Sequence, residues 1–145
     1  MSPFPRRRIT TVAFMTFLPF AFGACADDAT APAPGAVAGR YQLQTVNGAS
    51  LPFVVVQSDT SKGELTSDQL TLNADGTFSD IEGLRTTRGT SVTTKQAASI
   101  GVYESQESEI RFTQISPALG AFAGSVRHAT LVITYPSGNT FVYTR

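Results

Sequence analysis

Glycines punctuate the chain roughly every ten residues from Gly39 onward, and the stretches between them are rich in Val, Ile, Thr, Tyr and Phe. Asn47-Gly48, Asp75-Gly76 and Ser137-Gly138-Asn139 carry the residues that tolerate the positive φ angles of tight hairpins. No stretch keeps an apolar period of about 3.6 residues for three turns; the nearest, 94–100, is too short to make a stable helix. Strands are expected over 40–46, 51–57, 64–73, 77–81, 85–94, 100–104, 109–115, 121–127, 129–135 and 140–144, with a break at Glu82-Gly83 and a polar loop over 58–63. Connections this short join antiparallel neighbours, because parallel strands need long crossovers. Leu70 shares a face with Leu72, Leu131 with Ile133 and Tyr135, and Phe141 with Tyr143, so one face of the sheet points in and the other is wet. The fold class is all-β, and eight to ten strands in one small domain must bury that face by closing into a barrel or folding into a sandwich.

The region ahead of residue 39 has a different texture. Arg6, Arg7 and Arg8 precede an uncharged, mostly apolar run over 9–22, followed by the small residues Gly23 and Ala24 and by Cys25. Basic, apolar and small-residue regions in that order mark a secretory leader. The apolar run is shorter than the roughly 20 residues of a membrane-spanning helix, and Pro19 interrupts it. Residues 26–38 are small side chains with prolines and no aromatic, which cannot bury enough apolar area to offset their ordering entropy. The chain thus divides into a signal peptide over 1–24, a lipidated N-terminus and flexible, disordered tether over 25–38, and one domain over 39–145.

Cys25 is the sole cysteine, and exported proteins usually use cysteines in pairs. Phe22-Gly23-Ala24-Cys25 resembles the lipobox of bacterial lipoproteins, with Phe22 where an aliphatic residue is usual. The resemblance covers the first 25 residues and implies cleavage between Ala24 and Cys25, with a diacylglycerol on the Cys25 sulfur. Two or three acyl chains would anchor the protein stably, whereas one binds marginally. Ala26, not Asp, follows the cysteine, which by the same resemblance implies an outer-membrane address facing the periplasm. The paired arginines also fit a twin-arginine exporter, although any leader needs basic residues there.

The domain opens with Gly39-Arg40-Tyr41 and closes with Tyr143-Thr144-Arg145. This is similar to lipocalin-type barrels, in which a Gly-x-Trp motif on the first strand packs under an arginine from near the last strand. Tyr41 stands in the place of the tryptophan, and the chain has no Trp. The resemblance implies a small antiparallel up-and-down barrel of about eight to ten strands, with Tyr41 and Arg145 as a barrel-closing pair through a cation–π contact. It also implies an interior that just fills with side chains or holds one small apolar ligand.

Catalytic chemistry finds little footing. His128, the single histidine, reads as a turn or surface residue, and without a second His or a free Cys a transition-metal site has too few ligands. Glu104, Glu107 and Glu109 cluster around one turn and read as a solvated hairpin, not as a paired-acid or calcium site. Asp75-Gly76 lacks the other ligands of a calcium loop, and no Gly-x-Ser-x-Gly elbow or phosphate loop occurs. The leader removes three basic side chains and no acidic one, leaving 8 basic against 11 acidic and no basic run for nucleic acid. The expected function is a non-catalytic, membrane-anchored lipoprotein of the bacterial envelope, without metal or cofactor, binding a small apolar ligand. The alternative is a structural or partner-binding lipoprotein with a filled barrel, docking an envelope protein.

Overall fold

The computed structural model describes residues 34–145; the leader, Ala24, Cys25 and the tether up to residue 33 lie outside the described residues. Ten strands follow one another: β1 (Gly39–Val46), β2 (Ala49–Ser50), β3 (Phe53–Gln57), β4 (Ser61–Leu72), β5 (Thr77–Arg88), β6 (Ser91–Gln106), β7 (Glu109–Ser116), β8 (Gly120–Arg127), β9 (Thr130–Thr134) and β10 (Thr140–Thr144). Every pairing is antiparallel. β1 joins β10 on one edge, with Leu43 opposite Tyr143, and β4 on the other, with Tyr41 opposite Leu70. That double pairing closes β1 and β4 through β10 into an eight-stranded barrel. The all-β, up-and-down order expected from the turn pattern is therefore observed, and the sheet closes as a barrel, not a sandwich. β2 and β3 stand outside the ring, β2 on the second half of β1 and β3 on the first half of β4.

The expected break at Glu82-Gly83 and the expected single strand over 85–94 both fail, for one reason. The predicted break at Glu82-Gly83 is absent: β5 runs straight through, because Gly83 sits opposite a bulge in β4 between Leu65 and Ser67. A side chain at 83 would collide with the Ser67 hydroxyl, so glycine here marks a close approach of two strands, not a turn. The real turn lies at Gly89, whose φ is +54°. From there β6 pairs with β5 without interruption, Ser91 opposite Arg88 to Val102 opposite Thr77, and it absorbs the short helical candidate over 94–100. Residues 91–99 of β6 have β5 as their only strand partner, so the hairpin projects past the barrel rim.

The tether also ends earlier than expected. Pro34–Ala36 form a 3₁₀ turn, and Val37 is 3% exposed within the core. Its carbonyl accepts hydrogen bonds from Tyr41 Oη at 2.8 Å and from Arg145 Nη2 at 2.9 Å. Val37, inside the segment read from sequence as tether, thus belongs to the folded body, and it and its carbonyl stopper that end of the barrel. Arg145 completes the stopper. Its guanidinium carbon lies 5.0 Å from the centroid of the Tyr41 ring, and Nη2 donates to Tyr41 Oη at 2.6 Å. A Cβ at Gly39 would come within 2.9 Å of Arg145 Nε, so the arginine lies directly against the bare backbone of that glycine.

Above the stopper the interior is packed with rings. Phe112 and Phe122 stack at 5.0 Å, and Phe78 meets Phe112 edge-on at 5.5 Å. Gly101 and Gly124 face these rings: a Cβ at 101 would strike the Phe78 ring, and one at 124 would press on Phe112. Two glycines on inward positions are what lets three phenylalanines share one cross-section. Each ring buried this way contributes roughly 1.5–3 kcal/mol. Tyr103 closes the layer from β6, its hydroxyl donating to the Asn73 carbonyl at 2.6 Å across the β4–β5 turn.

Arg145→Ala removes donors to Val37 and Tyr41 together with the ring contact. Unfolding free energy is expected to fall by about 1–3 kcal/mol, as for charge-assisted hydrogen bonds. Chemical denaturation of the two proteins measures it, and an unchanged midpoint would mean that the stopper holds without its arginine.

Candidate functional site

The opposite end of the barrel is open, and its interior is acidic. Asp68 on β4 and Asp80 and Glu82 on β5 all stand in phase with core positions. Asp68 shares its inward face with Leu70 and Leu72, and Asp80 with Phe78. Asp68 is 1% exposed and Asp80 5%. The three carboxylates each offer an oxygen within 4.8 Å of the others. Tyr143 on β10 donates to Asp68 Oδ2 at 2.8 Å. Among the described residues no donor reaches Asp68 Oδ1 or Asp80 Oδ1.

Among the described residues nothing basic pairs with this cluster. Farther along β4, Glu64 is also covered, but Lys62 reaches it at 2.7 Å and Arg85 at 2.9 Å. Those partners, Lys62 first, hold the Glu64 carboxyl below its usual range. At Asp80 the balance is reversed. Burial, the hydrogen bond to Asp68 and the Asp68 and Glu82 charges push its pKa up to about 10. Burial also raises Asp68, although hydrogen bonds from Asp80 and Tyr143 oppose the rise. Burial and the Asp68 charge raise Glu82. Two carboxyls this close and this buried share one proton, since both cannot ionise side by side. The neighbouring tyrosines stay protonated: burial, first of all, raises both Tyr135 and Tyr143.

Above the acids lies a cavity of about 250 Å³ opening through the barrel mouth. Asp80 and Glu82 form part of its lining, and Tyr135, Phe141, Pro117 and Leu119 make apolar walls. Tyr135 and Phe141 meet edge-on at 4.9 Å, and Tyr135 continues the ring stack from Phe122 at 4.7 Å. Ser99, Gln114 and Asn139 add neutral polar groups. The site is thus an acid-floored, aromatic-walled cup. A hard divalent cation takes roughly six to eight oxygens in this kind of setting. Three carboxylates alone are a sparse set for it.

The residues singled out in the sequence fall elsewhere. Tyr41 and Arg145 meet at the stoppered end. His128 is exposed in the β8–β9 turn at φ +56°, and Glu107 turns the β6–β7 hairpin at φ +55° with Glu104 and Glu109 exposed beside it. Asp75 Oδ1 is occupied by the Thr77 backbone N–H at 2.9 Å and the Thr77 hydroxyl at 2.7 Å, which cap the turn. Cys25 and Ala24 lie outside the described residues. The mouth acids were missed, yet a signal existed. Asp68-x-Leu70-x-Leu72 and Phe78-x-Asp80-x-Glu82 put carboxylates in register with core side chains.

No protein family and no curated protein matches this sequence.

The acids set a pH dependence whose sign is fixed. Asp80 holds its proton in the folded state well above the pH at which it ionises in the unfolded chain. Folding therefore takes up a proton between those two pKa values, and stability falls as pH rises through that window. The lowered Glu64 and Asp75 act oppositely, contributing stability that is lost only as pH drops through the carboxylate range. The thermal midpoint is expected to decline from about pH 5 to about pH 9. Asp80→Asn, which keeps a neutral hydrogen-bonding group, should flatten that decline and raise the midpoint near pH 8 by about 4 °C or more. A wild-type midpoint that climbs across the same range would contradict a shared proton at the mouth.

Proposed function

We propose that this protein is a lipid-anchored binding module of the bacterial envelope, a lipocalin-like barrel that holds one small molecule at its mouth. The observation that carries the reading is the 250 Å³ cavity, closed below by the ring stack and open above. Pockets for drug-sized ligands run to roughly 300–1,000 Å³, so this one suits a compact molecule. The apolar part of such a ligand would lie against Tyr135, Phe141 and Leu119. The leader and Cys25 support tethering to a membrane through a lipid, with the outer membrane facing the periplasm as the address. The role is non-catalytic: the cup has acids and rings but no nucleophile–base pair among the described residues.

A second reading, a partner-binding lipoprotein, is favoured by the outer face of β5 and β6. There Ile81, Ile100 and Val102 are between 42% and 53% exposed on neighbouring strands. Single exposed apolar residues need no explanation, but adjacent ones can mark a docking surface.

Native mass spectrometry separates the two. The domain would be released from its own membranes by a protease site placed ahead of Pro34, so that the stopper stays intact. A defined extra mass that disappears on denaturation is expected of the ligand-binding barrel. A bare polypeptide mass that takes up nothing from an envelope extract would favour the partner-binding reading. Cys25→Ala should move the protein from the membrane to the soluble fraction; unchanged membrane association would remove the lipid anchor from the proposal.

A further inference from the structure

We infer that the mouth cup is a site for a small organic cation: an amine on a compact aromatic or apolar body, its ammonium seated on Asp80 and Glu82 with Asp68 behind them. This rests on the reading of the barrel as a small-molecule binder and names the class of molecule.

Three observations converge on it. The first is the state of Asp80 itself, 5% exposed, part of the cavity lining, with no donor on Oδ1. A buried carboxylate oxygen without a donor is costly, and an entering N–H would satisfy it. The second is charge. Among the described residues three acids converge without a basic partner, while Lys62 and Arg85 are both spent on Glu64. No Lys, Arg or His lines the cavity among the described residues, so an anion would be repelled and a cation drawn in. The third is the wall. Tyr135 and Phe141 present rings to the same space as the acids, and an ammonium between carboxylate and ring faces gains from both.

A bare metal ion fits less well. It would leave the ring-lined part of the cavity empty and find too few oxygens. Gln114 and Ser99 offer neutral hydrogen-bonding groups to the rest of an organic ligand. The neighbouring acids also differ in their use. Asp80 and Glu82 reach the cavity, whereas Asp68 is held by Tyr143 and lies behind them.

Calorimetric titration of the full-length protein in a mild non-ionic detergent tests the inference. The probes are benzylamine, 2-phenylethylamine and 3-phenylpropylamine, with 2-phenylethanol as the neutral counterpart, phenylacetate as the anion, and CaCl₂ and MnCl₂ alone. At least one amine is expected to bind about tenfold or more tighter than the alcohol, with phenylacetate silent. Glu82→Gln should weaken the amine by about tenfold and leave the alcohol unchanged. Leu119→Arg, on a rim side chain that is 48% exposed, should abolish amine binding by placing a cation at the mouth without disturbing the core. Equal binding of amine and alcohol would overturn the cation and leave the small-molecule reading standing. Calcium or manganese binding that excludes the amines would make the cluster a metal centre instead. If none of the organic probes binds below about 10 mM, the cation inference and the small-molecule reading fall together.

Discussion

Closure of the sheet at β1 is the constraint on which everything else depends. One strand is hydrogen-bonded to β10 along one edge and to β4 along the other, so the eight-stranded ring has no free edge. Closure makes an inside, and a barrel of this strand number has an inside only about wide enough for side chains or one small guest. What the inward positions carry then decides the rest. At one end Val37, Tyr41 and Arg145 form a hydrogen-bonded stopper. In the middle, Phe78, Phe112 and Phe122 fill the cross-section that Gly101 and Gly124 vacate. At the other end the same inward register delivers Asp68 and Asp80, followed by space.

The two ends are built on opposed physics. The stoppered end satisfies its polar groups internally: the Val37 carbonyl takes two donors, and the Asn73 carbonyl takes the Tyr103 hydroxyl. At the mouth a carboxyl pair is buried, shares a proton and leaves oxygens without a donor among the described residues. Apolar residues of similar shape would make a more stable barrel, since buried charges seldom repay their desolvation. A cost of that kind, borne where the interior opens to solvent, is how binding sites commonly differ from cores.

How much of this was legible in the chain follows from period-two patterning. Alternation and hairpin pairs such as Asp75-Gly76 were enough for the antiparallel order and for burying Leu131, Ile133 and Tyr143, but they left barrel and sandwich open. Two features resisted. Gly83 reads as a turn from sequence, but it serves a cross-strand bulge that depends on Ser67, a residue far along the chain. The boundary of the tether is also non-local: Val37 is one apolar residue in a small-residue stretch, and its burial depends on Tyr41 and Arg145 meeting over it. The mouth acids lay in plain register with Leu70 and Phe78, yet charged residues are expected at the wet face, and only the closed ring shows that these point inward.

Carbon-detected NMR of the Asp68 and Asp80 side-chain carboxyls, followed from acid to alkaline pH, tests the central claim most directly. Asp80 is expected to keep its proton past neutrality, to about pH 10, while sharing it with Asp68. Both carboxyls ionising near pH 4, as they do in open peptides, would contradict a buried, uncompensated acid pair.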